Sequence, residues 1–237
     1  MNESRRSSPE VIAFLRDVPL FAGLSDQALT ALTRASHIWR VPKGKTLFSQ
    51  TDPAEAVYAV RSGRIAILLS TADGRELMIN EMRAGDCFGE LSVLTGQPRS
   101  TDAVAREASE VISIPRDEFL TALQSEPKMM RHVLETTAQR LRTSSERESA
   151  LAFLDAPARL ARVLLLLDRQ ASADGFMAIS QDELAQRVGL TRQTVAKTLG
   201  RWRRAGWLIT GRGKIVLLNR AALRRQAQEP ERGPNSE

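Results

Sequence analysis

The chain has 237 residues, 42% hydrophobic and 26% charged, room for two modest domains each with its own core. A lone cysteine, Cys87, excludes an intramolecular disulfide, and no run of 18 apolar residues is present to cross a membrane. Charge is uneven: residues 156–225 hold 14 Lys and Arg against 4 acids, whereas residues 1–155 hold 19 against 21 and the last twelve hold 1 against 3, giving +10, −2 and −2 within a net +6. A basic C-terminal part behind a near-neutral one points to nucleic acid as its partner.

At the N-terminus, Arg5, Arg6, Ser7, Ser8 and Pro9 precede only a short amphipathic stretch, with no signal-peptide core, and a soluble cytoplasmic protein is expected. From Val11 to Ala35 apolar residues recur at helical spacing, broken by Pro19 and Gly23, with Ser25 placed as an N-cap; this predicts two or three short helices. The period then falls to about two. Short runs at Trp39 and Val41, Thr46 and Phe48, Val57 to Val60, Ile65 to Leu69, Leu77 to Met82, and Val111 to Ile114 are separated by turn residues, with hairpin turns expected at Ser62-Gly63 and Asp73-Gly74. Such a series predicts an antiparallel sandwich or jelly roll. Cys87, a small thiol in this β-rich region, reads as core filling in preference to a redox sensor.

Residues 88–101, Phe-Gly-Glu-Leu-Ser-Val-Leu-Thr-Gly-Gln-Pro-Arg-Ser-Thr, place a carboxylate, a guanidinium and a hydroxyl around one turn. Gly89 lets the backbone approach a ligand, Glu90 can accept from a ribose hydroxyl, Arg99 offers a planar fork to a phosphate, and Ser100 adds a hydroxyl beside it. Residues Leu91 to Thr95 could form one helical turn with free N–H groups toward the same anion. The bland alternative is that Glu90 and Arg99 simply pair with each other.

From Pro127 to Phe153 no Gly or Pro follows the first position, and Met130, Leu134, Thr137, Leu141, Ser144, Glu148 and Leu151 keep the four-and-three step of a dimer seam. Asp155 can cap a new helix with Pro157 in its first turn, so the break between domains is expected near residues 153–156. Beyond the loop through Asp174-Gly175 comes a helix-turn-helix pattern: Ser180 and Glu183 as a capping box, Gly189 at the turn, Thr191 capping a second helix. On that helix Val195, Leu199 and Trp202 should face inward, leaving Arg192, Gln193 and Lys197 for base edges, with Arg suited to guanine, Gln to adenine and Lys to guanine or phosphate. Trp207 to Ile209, Thr210 to Gly213 and Ile215 to Leu218 read as a β-hairpin wing that brings Arg212 and Lys214 near phosphates. Trp202 and Trp207 are read as core. The candidate DNA-contacting set is Ser180, Thr191, Arg192, Gln193, Lys197 and Arg212.

The Gly-Glu-Leu and Pro-Arg-Ser elements resemble the phosphate-binding cassette of cyclic-nucleotide-binding domains. The stretch Ser145-Glu146-Arg147-Glu148-Ser149-Ala150-Leu151-Ala152-Phe153-Leu154-Asp155 resembles the segment leading into the hinge of the catabolite-activator branch of the bacterial Crp/Fnr family. The resemblance covers about residues 18–222. It implies an α+β fold: a cyclic-nucleotide-binding jelly roll (18–126), a dimerisation helix (127–153) and a winged helix-turn-helix (156–222), behind an N-terminal extension (1–17). The first 8 residues and the tail (223–237), rich in Pro, Gly and charged residues, are expected to be disordered from their composition. The resemblance also implies that Gly89, Glu90, Leu91, Arg99 and Ser100 hold the ribose and cyclic phosphate, and that Ser144 and Ser145 contact the purine, one within its subunit and one across the dimer. Two departures stand out: Gln193 and Lys197 replace the branch's Glu and Arg on the recognition helix, and the cassette is one residue shorter between Glu90 and Arg99.

The implied function is a homodimeric transcription regulator with no prosthetic group, switched by cAMP or cGMP, reading a pseudo-palindromic duplex and engaging RNA polymerase, with no membrane partner. An iron–sulfur relative would need several cysteines, and a haem-sensing relative would depend on His37 or His132. A regulator that binds DNA without nucleotide is the main alternative. A cyclic-nucleotide hydrolase is the remote one, since two distant histidines cannot supply a metal site and a general base.

Overall fold

The computed structural model describes residues 2–4, 9–71, 74–169, 171 and 175–227. They divide into two compact units: Met1–Ser70 with Ile79–Thr143, and Thr71–Met78 with Ser144–Glu237.

In the first unit, helix α1 (Pro9–Asp17), a 3-10 turn at Pro19–Phe21 and helix α2 (Asp26–Ala35) fulfil the N-terminal expectation, and the Ser25 hydroxyl accepts from the Ala28 N–H at 3.2 Å as the N-cap of α2. Nine strands follow among the described residues, the longer ones where the sequence shows its short apolar runs. Strands β1 (Asn2–Ser4), β2 (His37–Val41), β9 (Ser109–Pro115), β4 (Ala56–Ser62) and β7 (Cys87–Phe88) form one sheet in the order β1-β2-β9-β4-β7. Strands β3 (Thr46–Phe48), β8 (Asp102–Ala105), β5 (Arg64–Ser70) and β6 (Glu76–Arg83) form the other, in the order β3-β8-β5-β6. Val41, Val60, Phe88 and Val111 from the first sheet share one core with Phe48, Ile65, Met82 and Ala103 from the second, so the sheets pack as a sandwich. A second cluster joins Leu15, Phe21, Leu29, Ile112, Phe119 and Met129, which fastens the helices to the first sheet.

The turn at Ser62-Gly63 is not the expected hairpin: β4 and β5 belong to different sheets, so it carries the chain from one layer to the other, and the glycine, Gly63, is still required there. Its φ is +85°, and a Cβ there would stand 2.7 Å from the Ser109 Cα, so a side chain would be excluded by main chain as well as by conformation. The other expected hairpin turn, Asp73-Gly74, includes Asp73, which lies outside the described residues.

Helix α3 (Glu90–Thr95) interrupts the strands, and α4 (Arg116–Ser125) leads into α5 (Pro127–Phe153), 27 residues long. On α5 Met129 and Val133 are buried, whereas the expected seam residues Met130, Leu134, Leu141 and Leu151 are exposed. Helix α6 (Ala156–Asp168) begins where expected: the Asp155 carboxylate accepts from the Ala158 N–H at 2.8 Å, with Pro157 in the first turn.

The second unit is built on α6, α7 (Gln181–Val188), α8 (Arg192–Arg204), a three-stranded sheet, and α9 (Arg220–Gln226). Strands β11 (Leu208–Gly211) and β12 (Lys214–Leu217) form the wing hairpin, and β10 (Phe176–Ala178) adds to β12. Their core holds Leu160, Leu164, Leu184, Val195, Leu199, Trp202, Ile215 and Leu223.

Two terminal expectations change. Asn2, Glu3 and Ser4 pair antiparallel with Arg40, Trp39 and Ile38, so part of the first eight residues is strand. At the other end residues 223–226 belong to α9, whose Ala222 and Leu223 are buried; an apolar face on a short helix gave no pattern long enough to detect. No helix among the described residues is long and apolar enough to cross a membrane.

Candidate functional site

Strand β7 delivers the chain to Gly89, whose φ of +83° turns it sharply into α3, so that Glu90 starts that helix with its side chain inside the protein. Glu90 is 4% exposed and Arg99 3% exposed, an expensive placement for two charged side chains. Arg99 is held from several directions. Its Nη1 donates to the Gly89 carbonyl at 2.8 Å and its Nη2 to the Ala56 carbonyl at 2.5 Å, while its guanidinium lies 4.4 Å from the Phe48 ring centre and 5.5 Å from that of Tyr58. Its main chain is tied to the Asp52 carbonyl and the Thr51 N–H, each at 2.8 Å. Phe48, Tyr58 and Phe88 make an aromatic floor with centroid separations of 5.4–6.0 Å. Burial lowers the Arg99 pKa from its ordinary value, with Tyr58 opposing the shift, and burial raises that of the Tyr58 phenol.

Glu90 takes its ion pair from Arg140 on α5, not from Arg99; Arg140 also donates to the Cys87 carbonyl at 2.5 Å. The simple Glu90–Arg99 pair is therefore not how the two charges are balanced. Two atoms are left over. Glu90 Oε2 and Arg99 Nε are buried with no hydrogen-bond partner among the described residues, each omission worth about 1–3 kcal/mol of instability. One is an anionic acceptor and the other a cationic donor. Together they suit a ligand with a hydroxyl and an anionic group, the chemistry of a sugar phosphate.

The other candidates are placed differently. Helix α3 forms, but with six residues it is too short to act as an anion site through its end, which leaves Arg99 as the cationic group of the cluster. Leu91 is 45% exposed and Ser100 is exposed beside the buried Arg99. Ser144 and Ser145 belong to the second unit, where the Ser144 hydroxyl donates to Glu148 at 3.3 Å. Burial, reinforced by Glu90, raises the Cys87 thiol pKa far above its ordinary value, which makes it inert filling at neutral pH. Among the described residues no cluster of His, Cys, Asp and Glu could hold a metal. Sequence reasoning missed Arg140, Tyr58 and Phe48. Arg140 had a readable signal: it stands next to Leu141 of the seam and one helical turn before Ser144.

In the second unit the helix-turn-helix is built by its caps. Ser180 Oγ accepts from the Glu183 N–H at 3.1 Å and Thr191 Oγ1 from the Thr194 N–H at 3.2 Å, while Gly189 ends α7 at a φ of +64°. The capping box is only half made, since the Glu183 carboxylate pairs with Arg187 at 3.0 Å. Val195, Thr198, Leu199 and Trp202 are buried, and Arg192, Gln193 and Lys197 are exposed on the opposite face of α8. Trp202 and Trp207 stack at 6.0 Å, with Trp202 in the core. Arg212 is exposed at the wing turn, but the Lys214 ammonium sits 4.4 Å over the Phe176 ring, which alters the expectation that it reaches out to phosphate. Exposed cations on the leading helix, hydroxyls at both helix starts and a cation on the wing are the parts a duplex-reading surface needs.

The comparisons agree with this division. Residues 38–126 match the cyclic nucleotide-binding domain model and residues 158–226 the Crp-like helix-turn-helix domain model. A CRP-like cAMP-activated global transcriptional regulator of Mycobacterium tuberculosis (strain CDC 1551 / Oshkosh) is 32% identical over 206 residues, covering 84% of this chain and 92% of its own. The cAMP-activated global transcriptional regulator CRP of Salmonella typhimurium is 32% identical over 200 residues, covering 82% of this chain and 95% of its own. Among solved structures, the c-di-GMP responsive global regulator CLP of Xanthomonas campestris superposes with a TM-score of 0.75 at 25% identity, covering 81% of this chain and 99% of that one.

Proposed function

Since this chain belongs to the Crp/Fnr family of DNA-binding transcription regulators, we propose that it is a homodimer whose sequence-specific DNA binding is controlled by a cyclic purine nucleotide, cAMP or cGMP. The observation that carries this reading is the pair of buried charges with leftover hydrogen-bonding atoms, Glu90 Oε2 and Arg99 Nε. Glu90 receives a ribose hydroxyl and Arg99 the cyclic phosphate, with Gly89, Leu91 and Ser100 around them. Ser144 and Ser145 are assigned to the purine through the resemblance of their helix alone.

Dimerisation follows from the bare apolar line Met130, Leu134, Leu141 and Leu151 on α5, which has the step of a helix-pair seam. Occupancy favours one dimer arrangement, in which the two α8 helices stand one DNA turn apart, about 34 Å. Arg192, Gln193 and Lys197 then read base edges, while Ser180, Thr191 and Arg212 meet phosphates. RNA polymerase is the protein partner this role requires, and the cytoplasm is where it works.

One observation favours a regulator that binds DNA with no nucleotide. Arg99 already gives both terminal nitrogens to main-chain carbonyls, so its placement is compatible with a purely structural role. Calorimetric titration with cAMP, cGMP and cyclic di-GMP, run beside DNA binding, separates the readings. Saturable binding of a cyclic mononucleotide that raises DNA affinity supports the first; no binding of any of the three supports the second.

A further inference from the structure

The shallow groove between the start of α7 and the wing turn is lined by Ser180, Gln181, Asp182, Arg192, Thr210 and Arg212. Asp182 is the one acid among these residues, on a surface otherwise suited to phosphate. Its carboxylate pairs with Arg192 at 3.6 Å, the two side chains being 60% and 70% exposed. Arg192 opens α8, where the helix dipole disfavours a cation, so an adjacent carboxylate is what steadies the guanidinium there. Asp182 itself lies in the first turn of α7, where a negative charge is favoured.

We infer that Asp182 is a positioning residue that sets DNA specificity by holding Arg192. The inference rests on the DNA-binding reading given above. In a complex with arbitrary sequence, Arg192 can gain only a phosphate, and it must give up one carboxylate for one phosphate oxygen. At a guanine it gains the O6 and N7 acceptors together in the plane of its fork, a geometry a phosphate at the groove margin does not offer. Retaining the arginine on Asp182 therefore weakens non-specific binding more than specific binding, and the ratio between them rises.

The test uses the full-length protein, a duplex enriched by the unaltered protein from a randomised pool with cAMP present, and a shuffled duplex of the same composition. Asp182→Asn should raise affinity for the shuffled duplex roughly two- to fivefold, the range of an exposed ion pair, with a smaller gain on the enriched one. The slope of the logarithm of shuffled-duplex affinity against the logarithm of salt concentration should steepen by about one. Asp182→Glu should keep the ratio, and in an Arg192→Ala background Asp182→Asn should leave the ratio unchanged, the loss of one negative charge acting equally on both duplexes. An unchanged ratio in Asp182→Asn, or the same change when Arg192 is absent, overturns the inference alone. Failure of the unaltered protein to enrich any sequence overturns the DNA-binding reading and the inference with it.

Discussion

The Nη1 of Arg99 donates to the carbonyl of Gly89 at 2.8 Å, and a Cβ at position 89 would stand 2.8 Å from that same nitrogen. Glycine at this turn thus serves a φ of +83° and also makes room for the guanidinium. Gly89→Ala should lower stability by about 1–2 kcal/mol from backbone strain alone. Displacing Arg99 should also weaken cyclic-nucleotide binding. Denaturant melts and calorimetric titration of the same variant measure the two effects, and retention of full nucleotide affinity would break the link between them.

Arg99→Ala removes the charge proposed to meet the cyclic phosphate. Loss of one or two charge-assisted contacts, about 1.5–3 kcal/mol each, should weaken nucleotide binding at least tenfold. Arg99→Lys should restore little, because the two carbonyls and the aromatic floor fit a planar fork and not a point charge. DNA binding that responds to nucleotide as before in both variants would favour the structural role of this arginine.

Cys87 gives a pH prediction with a definite sign. Burial raises its folded-state pKa, so above the usual thiol pKa of about 8.5 the unfolded chain releases a proton that the folded chain keeps. Its contribution is fully present below that pH and is lost at about 1.4 kcal/mol per pH unit as the solution becomes more alkaline. Comparing Cys87→Ala with the unaltered protein by urea melts between about pH 8.5 and 10 should show a flatter decline in the variant. Parallel curves would count against a buried neutral thiol, as would rapid alkylation of the native protein near pH 8.

Leu134 and Leu141 are 62% and 67% exposed on α5. Leu134→Asp or Leu141→Asp should therefore leave the fold of the subunit intact while dissociating the proposed dimer. Light scattering after gel filtration should show half the mass, with circular dichroism retained. A variant that still runs as a dimer would mean that subunits meet through some other face.

The strands, caps and helix-turn-helix were legible because each is a local device. Gly63 and Gly189 mark their turns, Ser25, Asp155, Ser180 and Thr191 mark helix starts, and the inward spacing of Val195, Leu199 and Trp202 marks a helix face. Strand β8 was missed because Asp102–Ala105 has too few alternations to stand out, and β7 because two residues carry no period. The candidate site was half legible. Glu90 and Arg99 lie within one motif, but Arg140 reaches Glu90 from a distant helix and Tyr58 meets Arg99 from a strand far back in the chain, contacts set by tertiary packing. The completed capping box failed for a similar reason, since Glu183 had a cation one turn away at Arg187.

The division of labour between the two Glu90 oxygens has a consequence for which metabolites this pocket can tolerate. One oxygen is already committed to Arg140, and only the other remains for a guest. Under the proposed nucleotide reading, a 2′-deoxyribose analogue would bury that second oxygen dry, and the side chain paired with Arg140 would also screen out deoxynucleotides.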